Sequence, residues 1–328
     1  MTRSGPCDVH TVALNPAIDL TVGLSQLVPG EVARARSARH DPGGKGVNVA
    51  SCLADWGTAV TIHGLLGLEN AARFEALFAA KGISDAMVRL PQATRTNIKL
   101  LEEGGRTTDV NLPGFSASAR DLAAVEASLA PLGAGALVAI SGSQPQGLED
   151  EASARLTAAL TRRGARVVLD VSGAPLRAAL ARAPDALPFA IKPNRHELEA
   201  CLRADLSRRA DLVAAARGLV ARGIGLVIVS LGTEGAIFLS AAAELQALPM
   251  ALSQGSTVGA GDAMVAGVVA ALAEGLGPEA LAARATAFAV GKLRNAGPHL
   301  PERGEIRALE RAVAVRPLAE WLAQEPGA

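Results

Sequence analysis

The stretch Ser256-Thr257-Val258-Gly259-Ala260-Gly261-Asp262 leads directly into the apolar run 263–272, and the rest of the chain is best interpreted from it. The run is typical of a buried helix, and the glycines mark its N-terminal end. Because glycine carries no Cβ, the backbone at Gly259 and Gly261 can approach a ligand closely. The first turn of a helix also attracts anions through N–H groups that have no partner inside the helix.

Asp262 lies in this first turn, where a carboxylate has two possible roles. It can act as a base that takes a hydroxyl proton while the neighbouring amides hold a phosphoryl group. It can also be a residue that satisfies the helix dipole in a tightly packed helix. The stretch alone leaves both interpretations open.

The composition excludes several other classes of protein. The chain has 328 residues, of which 49% are hydrophobic, enough for one large or two smaller domains. Aromatic residues make up 2%, Tyr is absent and the net charge is zero, which argues against a nucleic-acid partner. The odd number of cysteines favours reduced thiols, and the apolar runs are too short to span a membrane. We expect a soluble, cytoplasmic protein with no membrane partner.

Short apolar segments at 136–140, 166–170, 189–192 and 226–230 are typical of buried strands, and helical patterns lie among them. This alternation predicts an α/β fold with a mainly parallel sheet covered by helices on both faces. Ligands of such sheets bind at the carboxyl ends of the strands. The residues at or just beyond those ends are Ser141, Asp170, Lys192, Asn194, Ser230 and Gly232.

A second glycine-rich segment, Pro42-Gly43-Gly44-Lys45-Gly46-Val47-Asn48-Val49-Ala50, runs into another predicted helix. Its glycines allow close backbone approach, and Asn48 offers both a donor and an acceptor from the first helical turn. This segment and the stretch 259–262, in this order, resemble the two signatures of the ribokinase and phosphofructokinase B superfamily of sugar kinases. Lys45 matches the version found in 1-phosphofructokinases and tagatose-6-phosphate kinases.

The resemblance implies a ribokinase-like fold in which residues 1–14, 41–92 and 113–328 form the core. The two remaining segments, 15–40 and 93–112, are then expected to form a small β-sheet lid over the substrate. The resemblance also implies the cosubstrates ATP and Mg²⁺, and a ketohexose monophosphate as the phosphoryl acceptor. Fructose 1-phosphate is the expected acceptor, with tagatose 6-phosphate and fructose 6-phosphate as alternatives. A non-catalytic sugar-phosphate sensor on the same fold is an alternative of a different class.

The resemblance assigns roles to individual residues as well. It makes Asp262 the catalytic base and implies that the amides of Gly259, Ala260 and Gly261 stabilise the moving phosphoryl group. The implied sugar-binding residues are Asp19, Gly43, Gly44, Lys45, Asn48 and Ser141. Those implied for the nucleotide are Lys192, Asn194, Ser230, Gly232, Thr257, Gly259, Gly261 and Asn295. Magnesium is expected to be held through water by Asn194 and Glu197, although this pair also matches a helix-capping box.

The two lid segments are predicted to be hairpins, and their cations are candidate phosphate ligands. Arg95, Asn97 and Lys99 alternate along one strand and therefore share one face, which suits phosphate and hydroxyl groups or a solvated surface. Arg34 and Arg36 are predicted to share the face of a second strand in the same way. The opposite face would be apolar and wet in a monomer, so we expect a homodimer formed through the lids.

His63 is predicted to be a histidine of the core or of a turn, because no second histidine lies at metal-binding spacing. No zinc site is therefore expected.

Overall fold

The computed structural model describes residues 8–249, 259–295, 297 and 299–324. They form a sheet of ten strands with helices on both faces and a separate sheet of four strands. The strands are β1 (Asp8–Ala13), β2 (Ala17–Leu24), β3 (Ser37–Gly43), β4 (Thr61–Gly67), β5 (Ser84–Leu90), β6 (Arg95–Glu102), β7 (Thr107–Asn111), β8 (Ala136–Ser141), β9 (Arg166–Asp170), β10 (Ala190–Ile191), β11 (Leu226–Ser230), β12 (Ala236–Leu239), β13 (Glu244–Leu248) and β14 (Ala314–Pro317).

Eleven α-helices connect these strands in the described part of the chain. They are α1 (Lys45–Trp56), α2 (Ala72–Lys81), α3 (Ala119–Leu129), α4 (Ala152–Arg162), α5 (Gly173–Leu180), α6 (Arg195–Leu202), α7 (Arg209–Ala221), α8 (Ala260–Ala273), α9 (Pro278–Arg294), α10 (Arg303–Ala312) and α11 (Leu318–Leu322). None of the described helices is long and apolar enough to cross a membrane.

The large sheet has the strand order β14-β13-β12-β11-β10-β9-β8-β1-β4-β5. Seven of its strands run parallel, namely β5, β4, β1, β8, β9, β10 and β11, whereas β12, β13 and β14 form an antiparallel edge. One apolar core fills the space between the sheet and α1, α2, α8, α9 and α10, and a second lies under α3 to α7. The prediction of a mainly parallel sheet covered on both faces is confirmed. The antiparallel edge is a feature that the sequence analysis did not predict.

The small sheet has the order β3-β2-β6-β7 and consists of two antiparallel hairpins joined by parallel pairing of β2 with β6. This register sets Asp19 beside Asp41 and Asn97, and Thr21 beside Arg39 and Lys99. Side chains alternate along a strand, so these residues share one face of the small sheet.

Arg34 and Arg36 do not lie on a strand, and that part of the hairpin prediction is wrong. Strand β3 begins only at Ser37, and both arginines lie exposed in the connection that follows β2. Pro29 and Gly30 form a turn here, closed by the amide of Glu31 on the carbonyl of Val28 at 3.2 Å. The connection is therefore longer than a tight hairpin turn. Arg36 pairs instead with Glu103 at the end of the other hairpin.

His63 is a core histidine, as predicted. Its side chain contacts Nδ1 of His10 at 3.0 Å through Nε2 and the hydroxyl of Ser128 at 3.0 Å through Nδ1. Burial and the neighbouring His10 lower the pKa of His63 to about 4, so the ring is neutral at physiological pH. Within the described residues, no group of three or more His, Cys, Asp or Glu side chains is placed to hold a metal ion.

Helix α1 packs closely on β1, and Gly46 is the residue that allows this approach. A Cβ atom at Gly46 would lie 2.6 Å from the carbonyl oxygen of Val12 and 2.8 Å from Cβ of Ala13. Real Cβ atoms do not tolerate such distances, so a larger residue would push α1 away from the sheet.

We therefore expect Gly46→Ala to lower the free energy of unfolding by about 1–3 kcal/mol, the usual cost of overpacking a core. Gly304→Ala is a matched control, because Gly304 is also the second residue of its helix but is exposed, with no atom within 4 Å of a Cβ built there. The control should be neutral or slightly stabilising. Urea unfolding of both variants measures the difference, and equal midpoints would contradict tight packing of α1 on β1.

Candidate active site

Helices α1 and α8 pack against each other, and each begins at a glycine. The N-cap residues Gly44 and Gly259 have φ angles of 91° and 81°, a region that other residues rarely adopt. Neither cap supplies a side-chain hydrogen bond to its first helical turn. The N–H groups of both turns are therefore free of capping side chains, and both helix ends can bind anionic ligands.

Asp262 is the third residue of α8 and is only 7% exposed. Its Oδ2 atom accepts a hydrogen bond of 2.8 Å from the side-chain amide of Asn48, in the first turns of α1. Burial raises the pKa of Asp262 to about 6, and the nearby Asp170 carboxylate adds to this effect, whereas the Asn48 bond opposes it. A buried carboxylate with this pKa is ionised at neutral pH and can accept a proton efficiently.

Asp170 is a component of the site to which the sequence analysis gave no role. Its carboxylate is 2% exposed and lies 3.4 Å from Nζ of Lys45 and 3.3 Å from Nζ of Lys192. Ser141 lies beside it in the β8–β9 register, and its buried hydroxyl has no hydrogen-bond partner in the described part of the chain. In the sequence, Asp170 is indicated as a site residue only by its position at the end of a predicted strand. Its contacts with two lysines depend on the tertiary fold.

A cleft of about 370 Å³ lies between the small sheet on one side and α1, the start of α8 and the end of α9 on the other. On the side of the small sheet it is lined by Asp19, Thr21, Arg39, Asp41, Lys99, Leu101 and Thr107. On the side of the core it is lined by Asn48, Gly259, Lys292, Leu293, Arg294, Asn295 and Gly297. The structure thus brings Asp19, Asn48, Lys99, Gly259 and Asn295 together at one cleft.

Asp19 and Asn97 are neighbours on the face of the small sheet that is directed at the core. The amide of Asn97 donates to Oδ1 of Asp19 at 3.1 Å, and the other atom of that amide, Oδ1, is buried without a partner among the described residues. Burial raises the pKa of Asp19, while the bond from Asn97 lowers it. A buried, incompletely satisfied pair of this kind is suited to bind hydroxyl groups.

Arg95 shares this face but lies at the base of the small sheet, away from the cleft lining given above. Its guanidinium donates to the carbonyl oxygens of Asn15 and Pro16, at 3.3 and 3.4 Å, where the chain leaves β1 for β2. Burial lowers the pKa of Arg95. Arg34 and Arg36 lie outside the cleft lining of a single chain as well.

Four of the predicted nucleotide residues, Lys192, Asn194, Ser230 and Gly232, lie at or just beyond the carboxyl ends of β10 and β11, whereas Asn295 lies in the cleft lining. Asn194 and Glu197 form the capping box of α6, with reciprocal side-chain to backbone bonds of 2.8 and 2.9 Å. Asn194 also forms a β-bridge with Ser230. Gly232 follows with a φ of 62°. Thr257 lies outside the described residues, so its predicted contact stays a prediction.

Several lining residues were missed by the sequence analysis, namely Thr21, Arg39, Asp41 and Lys292. The first three alternate along β2 and β3, and their pattern could have been found once the register of that hairpin was known. Lys292 lies in the last turn of α9, and no local pattern distinguishes it from an ordinary basic residue at a helix end.

The chain is similar to known proteins in both sequence and fold. Residues 12–303 match the family described as pfkB family carbohydrate kinase. Among solved structures, Escherichia coli phosphofructokinase-2 in complex with substrates and products is similar with a TM-score of 0.87 and 29% identity, over 93% of this chain and 99% of that chain. Ribokinase from Thermotoga maritima shares the fold, with a TM-score of 0.76 at 20% identity over 93% of this chain and 99% of that chain.

The chain therefore belongs to the pfkB family of carbohydrate kinases, and it is a phosphotransferase with a ribokinase-like fold. A 1-phosphofructokinase of Xanthomonas campestris pv. campestris is 54% identical over 288 residues, which cover 87% of this chain and 91% of the relative. A 1-phosphofructokinase of Rhodobacter capsulatus is 47% identical over 313 residues, covering 94% of this chain and 98% of the relative.

The surroundings of Asp262 predict how its pKa responds to substitution. Asn48→Leu removes the hydrogen bond that favours the carboxylate, so the pKa of Asp262 should rise above about 6. Asp170→Asn removes a neighbouring negative charge, so the same pKa should fall. Titration of the carboxyl carbon of Asp262 by NMR, assigned with Asp262→Asn, measures both changes. Movement of the pKa in the same direction in both variants would contradict this description.

Proposed function

We propose that this kinase transfers the γ-phosphoryl group of ATP to the free primary hydroxyl of a ketohexose monophosphate. The acceptor we propose is fructose 1-phosphate, which would give fructose 1,6-bisphosphate. The placement of Asp262 carries the proposal, because a buried carboxylate with a pKa of about 6 lies in the first turn of an anion-binding helix. It is hydrogen-bonded to Asn48, which lines a cleft that also contains Arg39, Lys99 and Lys292. The relatives named 1-phosphofructokinase support this acceptor over tagatose 6-phosphate and fructose 6-phosphate.

In the proposed reaction, Asp262 takes the proton of the acceptor hydroxyl as its oxygen attacks the γ-phosphorus of ATP. The bond between that phosphorus and the β–γ bridging oxygen breaks, and ADP leaves with the electron pair. Backbone amides at Gly259, Ala260 and Gly261 are oriented to stabilise the charge on the moving phosphoryl group. A Cβ atom at Gly261 would lie 3.3 Å from Nζ of Lys192, so a larger residue there would crowd this lysine.

The sugar phosphate is proposed to bind on the lid side of Asp262. Asp19, Asn48, Asn97 and the buried hydroxyl of Ser141 provide acceptors and donors for ring hydroxyl groups. The glycine backbone at Gly43 and Gly44 allows close approach of the ring. The proposed phosphate ligands are the cations Lys45 and Lys99, and Arg95 once its guanidinium exchanges the carbonyl groups of Asn15 and Pro16 for the phosphate. In the proposed dimer, Arg34 and Arg36 of the partner subunit would join them.

The nucleotide is proposed to bind along Lys192, Asn194, Ser230, Gly232, Thr257 and Asn295, beside Gly259 and Gly261. The donor set of Asn194 and Glu197 fits magnesium, which prefers oxygen ligands, retains several waters and is usually bound by few carboxylates plus substrate phosphates. The capping box uses Oε2 of Glu197 and leaves Oε1 for a metal-bound water. A bound magnesium ion would neutralise the nucleotide phosphates.

The small sheet is proposed to act as the lid and to join two subunits. Its face opposite to the cleft carries Leu20, Val22, Ile98 and Leu100, all half-buried, together with Val110, which is 43% exposed. Pairing this face with its copy across a two-fold axis would remove that apolar area from water. We therefore propose a homodimer in which Arg34 and Arg36 lie near the subunit boundary.

Initial rates with ATP test the proposed reaction directly. Turnover should be fastest with fructose 1-phosphate when this sugar is compared with fructose 6-phosphate and tagatose 6-phosphate. Asp262→Asn should fold and bind the sugar phosphate but turn over roughly 10²–10⁴ times more slowly, the usual contribution of a general base. Because the base must be ionised, the wild-type rate should decline as the pH falls below about 6.

A preference for one of the other two sugars would overturn the assigned acceptor without affecting the base. An Asp262→Asn variant that keeps more than a tenth of wild-type turnover would overturn the role of Asp262.

Sedimentation equilibrium at micromolar concentration should give about twice the chain mass of 33.3 kDa. Ile98→Glu places a charge in the proposed interface and should yield monomers with weaker sugar-phosphate binding. Leu68→Glu is the control, because Leu68 is 58% exposed and lies in a short 3₁₀ helix outside the small sheet. A fully active wild-type monomer, or an Ile98→Glu variant that remains dimeric, would contradict the lid dimer.

A further inference from the structure

Two buried lysines lie on either side of the start of α8. A Cβ atom at Gly261 would lie 3.3 Å from Nζ of Lys192, and one at Gly259 would lie 3.1 Å from Cε of Lys292. The two lysines are only 5% and 7% exposed. The glycines at 259 and 261 therefore admit lysine side chains as well as a ligand, and the helix start is flanked by two ammonium groups.

The two lysines differ in how their charge is balanced. Lys192 forms an ion pair of 3.3 Å with Asp170, which also pairs with Lys45. The ammonium of Lys292 has one hydrogen bond in the described part of the chain, a donation of 3.0 Å to the carbonyl oxygen of Asn295. An ammonium carries three donors, so Lys292 retains the capacity to bind an anion. Burial lowers the pKa of Lys292, while the charge of Asp262 acts in the opposite direction.

The use of lysine in this chain supports a specific role for position 292. Only five of its 32 Lys and Arg residues are lysines, and none of the five is exposed. Lys45, Lys99, Lys192 and Lys292 all lie at the cleft or at the Asp170 cluster beside it. A compact ammonium fits against Gly259 where a planar guanidinium would need more room.

We propose that Lys292 is a further catalytic residue of phosphoryl transfer. Its ammonium exchanges the carbonyl of Asn295 for a non-bridging oxygen of the phosphoryl group that moves past Gly259. No proton is transferred to or from Lys292. Its positive charge stabilises the charge on the equatorial oxygens in the transition state more than it stabilises the bound substrates. This assignment rests on the proposed function, because it requires a phosphoryl group to pass the start of α8.

A purely structural role for Lys292 predicts different behaviour. Basic side chains often bond to the last carbonyl groups of a helix, and the contact with Asn295 has this form. In that case, loss of the ammonium would lower stability and leave the rate constant unchanged. A cap of this kind requires only a donor with a positive charge at position 292.

The test compares Lys292→Met, Lys292→Arg and the control Arg311→Met, which removes an exposed charge from α10. We expect Lys292→Met to lower kcat roughly 10- to 100-fold, the effect of losing one charge-assisted hydrogen bond. The KM values for ATP and the sugar phosphate should change less than kcat. Lys292→Arg should also lower kcat, and Arg311→Met should have the kcat of the wild type.

Binding of ADP with aluminium fluoride and the sugar phosphate, which imitates the moving phosphoryl group, provides a second readout. Lys292→Met should weaken this complex by a factor similar to the loss in kcat, while ATP alone binds nearly as well as to the wild type. A variant with wild-type kcat and only a lower melting temperature would overturn the catalytic role. Failure of the wild type on fructose 1-phosphate would instead overturn the proposed acceptor, and the variants would then be compared on whichever sugar the wild type phosphorylates.

Discussion

The hydrogen bond from Asn48 to Asp262 joins the two glycine-started helices on which the site depends. It can form only because α1 and α8 pack together with their N-terminal ends at the same edge of the sheet. Gly46 allows α1 to lie directly on β1, which sets the position of Asn48. The start of α8 then reaches the cleft at Gly259, and α1 contributes Asn48 to the same lining. The free amides of the α8 start favour an anionic ligand there.

The negative charge of Asp262 is influenced by buried groups that are distant from it in sequence. Burial and Asp170 make ionisation of Asp262 less favourable, and Lys45 and Lys192 partly restore it. The resulting pKa of about 6 keeps the carboxylate ionised near neutral pH yet basic enough to accept a proton. A surface Asp in water would also be ionised at neutral pH but would be a weaker base, since it titrates near its usual value of about 4.

Because side chains alternate along its strands, the small sheet has one polar and one apolar face. One face directs Asp19 and Lys99 at the cleft, and the other carries the apolar residues Leu20 and Ile98. A shift of one residue in the β2–β6 register would exchange these faces, and the site would lose its polar wall. The proposed substrate binding and the proposed subunit contact would therefore be linked through a single register.

Local patterns in the sequence were sufficient to predict the class of fold, the two glycine-rich helix starts and the alternation along β6. These features depend on residues that are close in sequence. The tertiary structure alone decided the contacts of Asp170 and Lys292 and the position of Arg36 outside a strand. These contacts join elements that are far apart in the chain, and no local spacing encodes which side chains meet when the sheet and helices pack.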